Sequence, residues 1–275
     1  MIVDYRVTEF MMHSIAPYIV AFLFGSVIGS FLNVCIYRIP RNLSIITPSS
    51  RCPSCNTPIS PSDNIPIISY IFLSGRCRTC KMKISFRYPL VEFLNAALYI
   101  LLLWRFGFGW HTPVYFIFCS ALIVIAFIDL DFQIIPDRIT LLGIPIGLIA
   151  GSFLLPDPFM RFSPLGLKTS AIGTCTGFGL FYVVAVIGAA IFKKEALGGG
   201  DIKLMAMLGG VLGWKGVLLT TFLGSLSGSV IGVFLMIIHK KDRKHKIPFG
   251  PFLVLGSMIT LFYGQEILYW YLAGK

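Results

Sequence analysis

Long apolar runs alternate with short polar segments along almost the whole chain. The runs cover roughly 14–37, 88–104, 112–128, 139–155, 169–192, 202–213, 217–238 and 249–272. All but one have about the 17–25 residues that a helix needs to cross a bilayer. The run at 202–213 is shorter, and it could be tilted, half-buried or fused across Gly213-Trp214 to its neighbour. The pattern predicts an all-α polytopic membrane protein with about eight transmembrane helices.

The composition agrees with a membrane protein. The chain is 56% hydrophobic and only 13% charged, and its mean hydropathy is +0.82, far from a soluble globular domain. The first dozen residues carry Asp4, Arg6 and Glu9 and lack the basic segment of a cleavable signal peptide, so we expect the first run to remain a membrane helix. The net charge of +11 is explained by basic loops on one side of the membrane, and no nucleic-acid partner is expected.

Basic residues concentrate in two polar segments. The segment between the first and second runs has one acid, Asp63, and these basic residues: Arg38, Arg41, Arg51, Arg76, Arg78, Lys81, Lys83 and Arg87. The turn at 240–246 is also basic and is expected to contact anionic membrane lipid. The positive-inside rule places both segments on the cytoplasmic side of the plasma membrane, with both chain termini outside.

Two aspartates lie where apolar runs meet polar turns. Asp129 ends one run and Asp201 opens another, and eight spans bring both to the cytoplasmic membrane surface. An ionisable group near hydrocarbon is costly, so its presence there suggests a function. Two carboxylates at one membrane depth can share a proton and activate water for peptide hydrolysis. The sequence therefore predicts a membrane aspartic endopeptidase with Asp129 and Asp201 as its catalytic residues.

Neighbouring residues leave alternatives open. Asp131 could replace Asp129 in the pair, because spacing alone does not separate them. Asp137 fits a helix-start position, and Lys203 is expected to extend to the membrane surface. Three glycines before Asp201 allow a sharp turn and a close approach of substrate backbone, although an ordinary flexible turn is the alternative. The predicted substrate-binding residues here are Gly198, Gly199 and Gly200.

The basic loop contains two Cys-x-x-Cys pairs. The predicted metal ligands are Cys52, Cys55, Cys77 and Cys80, a spacing typical of a structural zinc site. Two disulfides are the alternative, which a cytoplasmic location disfavours. Since the loop has few large hydrophobic residues, it needs a metal to hold its fold. The predicted division is a first transmembrane helix at 1–37, a zinc-binding loop at 38–87 and a multi-span peptidase domain at 88–275.

Together these motifs resemble the type IV prepilin peptidases, which belong to the GxGD class of aspartic proteases. Four blocks of sequence carry the resemblance. The first is 29–40, the second is 50–55 running on through 63–66, the third is 84–92, and the fourth is the aspartate pair in 128–131 and 198–203. It implies cleavage of the short basic leader of type IV prepilins or pseudopilins at the cytoplasmic face of the membrane. The family's two catalytic aspartates correspond to Asp129 and Asp201.

The resemblance also implies a second activity. Family members with a four-cysteine loop generally methylate the new pilin N-terminus with S-adenosylmethionine. Glu92 lies just inside the second run, where it would face the protein interior and could hold the sulfonium of S-adenosylmethionine or a pilin amine. An ion pair with a basic-loop residue is the alternative for Glu92. Pilus assembly, type II secretion and competence are equally compatible with the sequence.

Two other function classes fit the chain less well. A transporter would place acids at mid-bilayer depth and show paired interrupted helices or an internal repeat, and the sequence shows neither. A zinc-ribbon adaptor without catalysis would give the two aspartates no role. A nucleic-acid module in the basic loop is disfavoured because the loop has few aromatic residues for base stacking.

Overall fold

The structure, a computed structural model, describes residues 15–193, 197–239 and 248–274. Packing divides the chain into two compact units. Unit 1 ends at Val124 and unit 2 begins at Ile125, so the boundary falls inside a helix. The expectations for the first dozen residues and for the basic turn at 240–246 lie outside the described residues.

Long helices account for most of the described chain. They are α1 Ala16–Arg38, α3 Arg87–Phe106, α4 His111–Phe132, α5 Asp137–Phe153, α6 Gly166–Phe192, α7 Gly199–His239 and α8 Gly250–Ala273. Between α1 and α3 lie the short helix α2 Ile68–Phe72 and the 3₁₀ turns Ile39–Arg41 and Pro61–Asn64. A small antiparallel hairpin, β1 Pro156–Asp157 with β2 Met160–Pro164, connects α5 to α6.

The helices have the length and composition of membrane spans. Six helical segments of the described chain are long and apolar enough to cross a bilayer: Ala16–Arg41, Arg87–Phe106, His111–Phe132, Gly166–Ile191, Gly199–Ile238 and Gly250–Leu272. Helix α5 has 17 residues and is just shorter than these. Helix α7 has 41 residues but is broken at Gly213, where φ is 71° and ψ is 175°. The prediction of a multi-span helical protein is confirmed, and the count of eight spans is approximate.

In unit 1, α1 and α3 form a closely packed antiparallel pair. A Cβ atom on Gly25 would lie 2.7 Å from the Cα of Ala96, and one on Gly29 would lie 2.6 Å from the Cα of Glu92. Small residues four positions apart let two membrane helices approach in this way. The Asn95 side-chain amide donates to the Gly25 carbonyl at 2.8 Å, which adds a buried hydrogen bond to the pair.

In unit 2, the first segment of α7 is buried between α5 and α6. Gly147 of α5 contacts Val211 of α7, whereas Gly173 and Gly177 of α6 contact the α7 backbone. Helix α5 runs parallel to this segment, since Gly143 lies against Met207 and Gly147 against Val211. The N-termini of α5 and α7 therefore lie at the same end of unit 2.

The second segment of α7 packs antiparallel to α8. Gly224 contacts Leu253, and the hydroxyl of Thr220 donates to that of Thr260 at 3.2 Å. Two buried threonines can satisfy each other in this way without water. The start of α8 reaches the carboxylate of Asp129, so it also lies at the end of unit 2 where α4 finishes.

Candidate active site and metal centre

Asp129 lies in the last turn of α4 and is only 5% exposed. Its Oδ2 atom accepts a hydrogen bond of 2.9 Å from the backbone N–H of Gly250, at the start of α8. A Cβ atom on Gly250 would lie 2.6 Å from the same oxygen, which is too close for any side chain without a shift. Glycine at this position therefore lets the helix terminus orient the carboxylate.

Asp201 lies in the first turn of α7 and is 9% exposed. The backbone N–H of Gly198 hydrogen-bonds its carboxylate, while the Asp201 N–H donates to the Gly198 carbonyl at 3.1 Å. This reciprocal arrangement resembles a capping box, in which a side chain in the first turn satisfies a free N–H at the helix start. The positive end of the helix dipole also favours a negative charge here.

The two carboxylates are close enough to interact electrostatically. Ile135, in the turn after α4, helps to fix this arrangement. A Cβ atom on Gly200 would lie 2.7 Å from the Cβ of Ile135, and one on Gly250 would lie 3.3 Å from its Cδ1. The starts of α7, which carries Asp201, and of α8, whose Gly250 N–H binds Asp129, thus pack on one isoleucine. The structure therefore brings the two predicted aspartates to the same place.

The two rival aspartates occupy different surroundings. Asp131 is exposed, two residues beyond the buried Asp129. Asp137 is the first residue of α5, as the sequence indicates. Its carboxylate pairs with the Lys203 ammonium at 2.7 and 2.8 Å, so Lys203 joins the starts of α5 and α7 instead of simply extending to the surface. Both side chains are partly exposed, and such a pair adds at most about 1 kcal/mol to stability.

The three glycines before Asp201 differ in their surroundings. Gly198 and Gly199 are exposed, and a Cβ atom on Gly199 would meet no atom within 4 Å. Gly200 instead packs on Ile135 and has no room for a side chain. The structure therefore gives Gly200 a packing role and leaves space beside Gly199, whereas a Cβ atom on Gly198 would lie 3.3 Å from Oδ2 of Asp201.

Gly250 is a site residue that the sequence reasoning missed. The sequence signal at this position is local. Pro248-Phe249-Gly250-Pro251 opens the last apolar run, and a glycine directly before a proline is uncommon at a helix start. Nothing in that motif indicates a contact with Asp129, which is 121 residues away in the sequence.

Replacing Gly250 by alanine tests this contact. The added methyl group would displace the Asp129 carboxylate, and small misplacements of catalytic groups can lower rates by about 100-fold. We expect Gly250→Ala to lower peptide hydrolysis by roughly 10–100-fold, measured as kcat/KM. Gly179→Ala is the matched control, since a Cβ atom at Gly179 would meet nothing within 4 Å. Equal activity of the two variants would contradict the role of Gly250.

The four loop cysteines form one cluster in unit 1. Their Sγ atoms all lie within 4.8 Å of one another, with 3.8 Å between Cys52 and Cys80 and 4.0 Å between Cys55 and Cys77. Zinc–sulfur bonds of about 2.3 Å in a tetrahedron place the sulfurs about 3.8 Å apart. All four are free cysteines in the structure. The cluster could hold a metal ion, and its spacing fits zinc.

Each Cys-x-x-Cys pair forms the same turn. The Cys52 N–H donates to the Thr57 carbonyl at 3.0 Å, and the Cys77 N–H donates to the Met82 carbonyl at 2.9 Å. The residue after the second cysteine of each pair has a positive φ, 57° at Asn56 and 60° at Lys81. Such a left-handed residue turns the chain back and leaves backbone N–H groups near the sulfurs, as in zinc knuckles.

The thiols do not ionise equally. Hydrogen bonds with the hydroxyl and the backbone of Thr57 lower the pKa of Cys55 to about 6. Backbone hydrogen bonds from Cys80 and Thr79 lower the pKa of Cys77. At Cys80 the backbone of Met82 lowers the pKa, but burial and the other thiols outweigh this and raise it to about 11. Four adjacent sulfurs therefore need a cation before all of them can become thiolates.

Glu92 lies in α3 and is 8% exposed, so it faces the interior as expected. Its Oε2 atom accepts a hydrogen bond of 2.7 Å from the Ile67 N–H, and its carboxylate also contacts the Ser30 side chain. In the same loop, Arg78 of the second knuckle pairs with both oxygens of Asp63. This hydrogen bonding holds the pKa of Asp63 below its usual range.

Two family models match the chain in succession. The bacterial peptidase A24 N-terminal domain matches residues 23–106, and the type IV leader peptidase family matches residues 116–233. The first match contains the four cysteines and Glu92, and the second contains both aspartates of the pair. No solved structure matches the chain.

Curated relatives match nearly the whole chain. A protein of Aeromonas salmonicida is 35% identical, and the match covers 92% of this chain and 92% of the relative. A protein of Pseudomonas aeruginosa is 34% identical, with 94% and 95% covered. A protein of Bacillus subtilis is 34% identical, with 92% and 97% covered. Each is named a prepilin leader peptidase/N-methyltransferase.

Proposed function

We propose a function for this chain on the premise that it belongs to the type IV leader peptidase family. Its similarity to curated relatives over nine-tenths of its length shows that it is a member. The chain is a multi-pass membrane endopeptidase that removes the leader peptide of prepilins and N-methylates the new N-terminus. The observation that carries the proposal is the buried pair of Asp129 and Asp201, which supplies the two carboxyl groups that aspartic proteolysis needs.

The pair performs hydrolysis by moving protons between water and the peptide. One carboxylate takes a proton from water, whose oxygen attacks the scissile carbonyl carbon while the protonated partner donates a hydrogen bond to the carbonyl oxygen. When the tetrahedral intermediate collapses, the carbon–nitrogen bond breaks and a proton passes to the leaving amine. Backbone N–H groups of Gly250 and Gly198 orient the two carboxylates. Since the pair titrates as a unit, neither aspartate is assigned as the sole base.

The exposed glycines beside Asp201 are where we place the substrate backbone. A peptide must come within hydrogen-bonding distance of the carboxylates, and the open space at Gly199 leaves room for it. The N–H groups at the start of α7 are available to stabilise the developing oxyanion. Gly200 contributes indirectly, because its contact with Ile135 holds Asp201 in position.

The active site is assigned to the cytoplasmic face of the plasma membrane. The basic loop at 38–87 follows α1, and the positive-inside rule keeps such a loop in the cytoplasm. Prepilin leaders are basic and cytoplasmic in the family that the sequence resembles, so the scissile bond and the aspartates meet at one membrane surface. Type IV prepilins and the pseudopilins of type II secretion both have this form, and membrane lipid surrounds the helices.

The four cysteines are assigned to structural zinc. The sulfur distances fit a tetrahedral zinc site, and the cytoplasm keeps such thiols reduced. Bound zinc supplies cross-linking of the two knuckles and no catalytic chemistry. We accordingly divide the chain into the helix at 1–37, the zinc loop at 38–87 with the methyltransferase role, and the peptidase part at 88–275.

Methylation requires a donor, which we assign as S-adenosylmethionine. When bound, this donor would supply an electrophilic methyl group to the pilin amine and leave as a neutral thioether, and the amine would give up a proton. We assign to Glu92 the binding of the donor's sulfonium cation, because this acidic residue of unit 1 is buried next to the loop that follows α1.

Both activities can be tested in one reaction. The purified protein in proteoliposomes is incubated with a prepilin, with and without S-adenosylmethionine, and the products are measured by mass spectrometry. We expect a released leader in both reactions and a mature pilin that is one methyl group heavier only with the donor. An intact prepilin would contradict the peptidase, and an unmodified mature pilin would contradict the methyltransferase.

A further inference from the structure

A cavity of about 510 Å³ lies in unit 1, between α1 and the loop that follows it. One face of α1 forms the helical wall, because the lining residues recur every three or four positions: Val27, Ser30, Phe31, Val34 and Arg38. The opposite face of α1 packs on α3 through Gly25 and Gly29. Val27 and Phe31 are 57% and 46% exposed, so the cavity side of α1 is open to the surrounding bilayer.

The wall of the cavity changes from apolar to polar along α1. Arg38 is 11 positions beyond Val27, which corresponds to about 16 Å along a helix axis. One half of a hydrocarbon core of about 30 Å is about 15 Å thick, so these two residues span the depth of one leaflet. Ser49 and Ser50 also line the cavity, and they directly follow Pro48, whose carbonyl binds Arg38. Hydroxyl groups therefore lie at the charged end of the cavity.

Arg38 supplies the charge of this cavity. Among the described residues that line it, Arg38 alone is charged. Its guanidinium donates hydrogen bonds to the carbonyls of Ser44 at 2.8 Å and Pro48 at 2.7 Å. These bonds use one N–H on each terminal nitrogen of a group that has five N–H donors. The guanidinium is thus held in place at the cavity and can also donate to a phosphate.

The loop around the cavity presents apolar side chains to its surroundings. Ile46 lines the cavity and is 83% exposed, and Phe72 of α2 is 84% exposed. Large exposed apolar groups that lie close together mark a contact surface. Their combination with the basic residues of the loop is typical of a segment that lies in the headgroup region of a membrane. We therefore expect this part of the loop to rest on the membrane surface.

We propose that the cavity binds one anionic phospholipid, with the phosphate on Arg38 and an acyl chain along Val27, Phe31 and Val34. Both ends of such a lipid find matching chemistry, and basic pockets beside membrane helices take anionic headgroups in this way. The prepilin fits less well, because its basic leader would be repelled by Arg38. The lipid would hold the stretch 44–50 against α1 and takes no part in either proposed reaction, so the proposal is independent of the proposed function.

Lipid binding to the purified full-length protein tests the proposal without any substrate turnover. The protein is delipidated in detergent and titrated with phosphatidylglycerol or with phosphatidylcholine of the same acyl chains, and bound lipids are counted by native mass spectrometry. We expect the first phosphatidylglycerol to bind at least about fivefold more tightly than the first phosphatidylcholine, which is the contribution of one cation near a headgroup. Excess inorganic phosphate should not displace it, because phosphate lacks the acyl chain.

Substitutions in the cavity separate charge from shape. Arg38→Gln should reduce the preference for phosphatidylglycerol to less than about twofold, whereas Arg38→Lys keeps the charge and should retain most of it. Val34→Trp fills the apolar end of the cavity and should weaken phosphatidylglycerol binding by at least about fivefold. Lys83→Gln is the matched control, since it removes one cation from the same loop at an exposed residue that does not line the cavity.

The control variant should bind both lipids as the wild type does, and size-exclusion elution and circular dichroism check that every variant is folded. Equal affinity of the wild type for the two lipids would overturn the proposal. An equal loss of preference in Lys83→Gln and Arg38→Gln would show a diffuse charge effect, and displacement by phosphate would show an anion site that needs no lipid; either result would also overturn it. Unchanged lipid binding but weaker prepilin binding in Val34→Trp would assign the cavity to the substrate instead.

Discussion

Replacing either Asp129 or Asp201 by asparagine is expected to abolish prepilin cleavage, with kcat/KM falling by about 10³–10⁴-fold. Asparagine has nearly the same shape as aspartate, but it cannot take a proton from water. Its amide can still occupy the space next to Gly250 or Gly198, so the packing of unit 2 should survive. The loss would then report chemistry and not misfolding.

The measurement is the rate of prepilin cleavage in proteoliposomes, followed by the change in prepilin size. Methylation of a pilin that already lacks its leader provides the folding control, because neither aspartate is assigned to methyl transfer. Activity that survives in Asp201→Asn would contradict the aspartic mechanism. Loss of both activities in Asp129→Asn would indicate misfolding and would leave Asp201→Asn to decide the mechanism.

Loss of the metal centre is expected to have the second largest effect. Changing Cys52 or Cys80 to serine removes one of four thiolate ligands, and structural zinc in small domains contributes about 10–16 kcal/mol to their folding. We expect the variants to lose bound zinc and to expose their remaining loop thiols to alkylation. Methylation should fall at least tenfold, because the methyltransferase role is assigned to this loop, in which Arg78 of the second knuckle also binds Asp63.

Measuring both products in a Cys55→Ser variant separates the two activities. Cleavage should fall less than methylation, since Asp129, Asp201 and Gly250 all lie in unit 2. Cys175→Ser is the matched control, because Cys175 is exposed on α6 and does not belong to the cluster. Equal loss of cleavage and methylation would show that the loop is part of the protease fold. Purified protein without zinc and with paired loop thiols would establish a disulfide domain instead.

Hydrophobic patterning predicted the helices well because apolar length is a local property of the sequence. The predicted run at 217–238 corresponds to the second part of α7, and the short run at 202–213 corresponds to its first part, with the break at Gly213. The small hairpin between α5 and α6 was not predicted, since its short strands carry no clear alternation. The cysteine cluster was predictable because its ligand spacing is itself a local pattern.

The remaining features depend on contacts between distant residues. Asp129 and Gly250 are 121 positions apart, and Asp137 and Lys203 are 66 positions apart. The Ile67 N–H donates to the Glu92 carboxylate, which is 25 positions away. A single sequence contains no signal for such pairs, because each residue alone fits an ordinary helix start, surface or turn. The structure was also needed to separate the buried Asp129 from the exposed Asp131.

The proposed peptidase depends on the pairing of the buried Asp129 carboxylate with Asp201. The most direct measurement compares prepilin cleavage by Asp129→Asn and Asp131→Asn in the same proteoliposome preparation. We expect no detectable cleavage by Asp129→Asn and at least about a third of wild-type activity in Asp131→Asn, because an exposed carboxylate contributes little to a buried site. An active Asp129→Asn together with an inactive Asp131→Asn would contradict this pairing and assign the pair to Asp131 and Asp201.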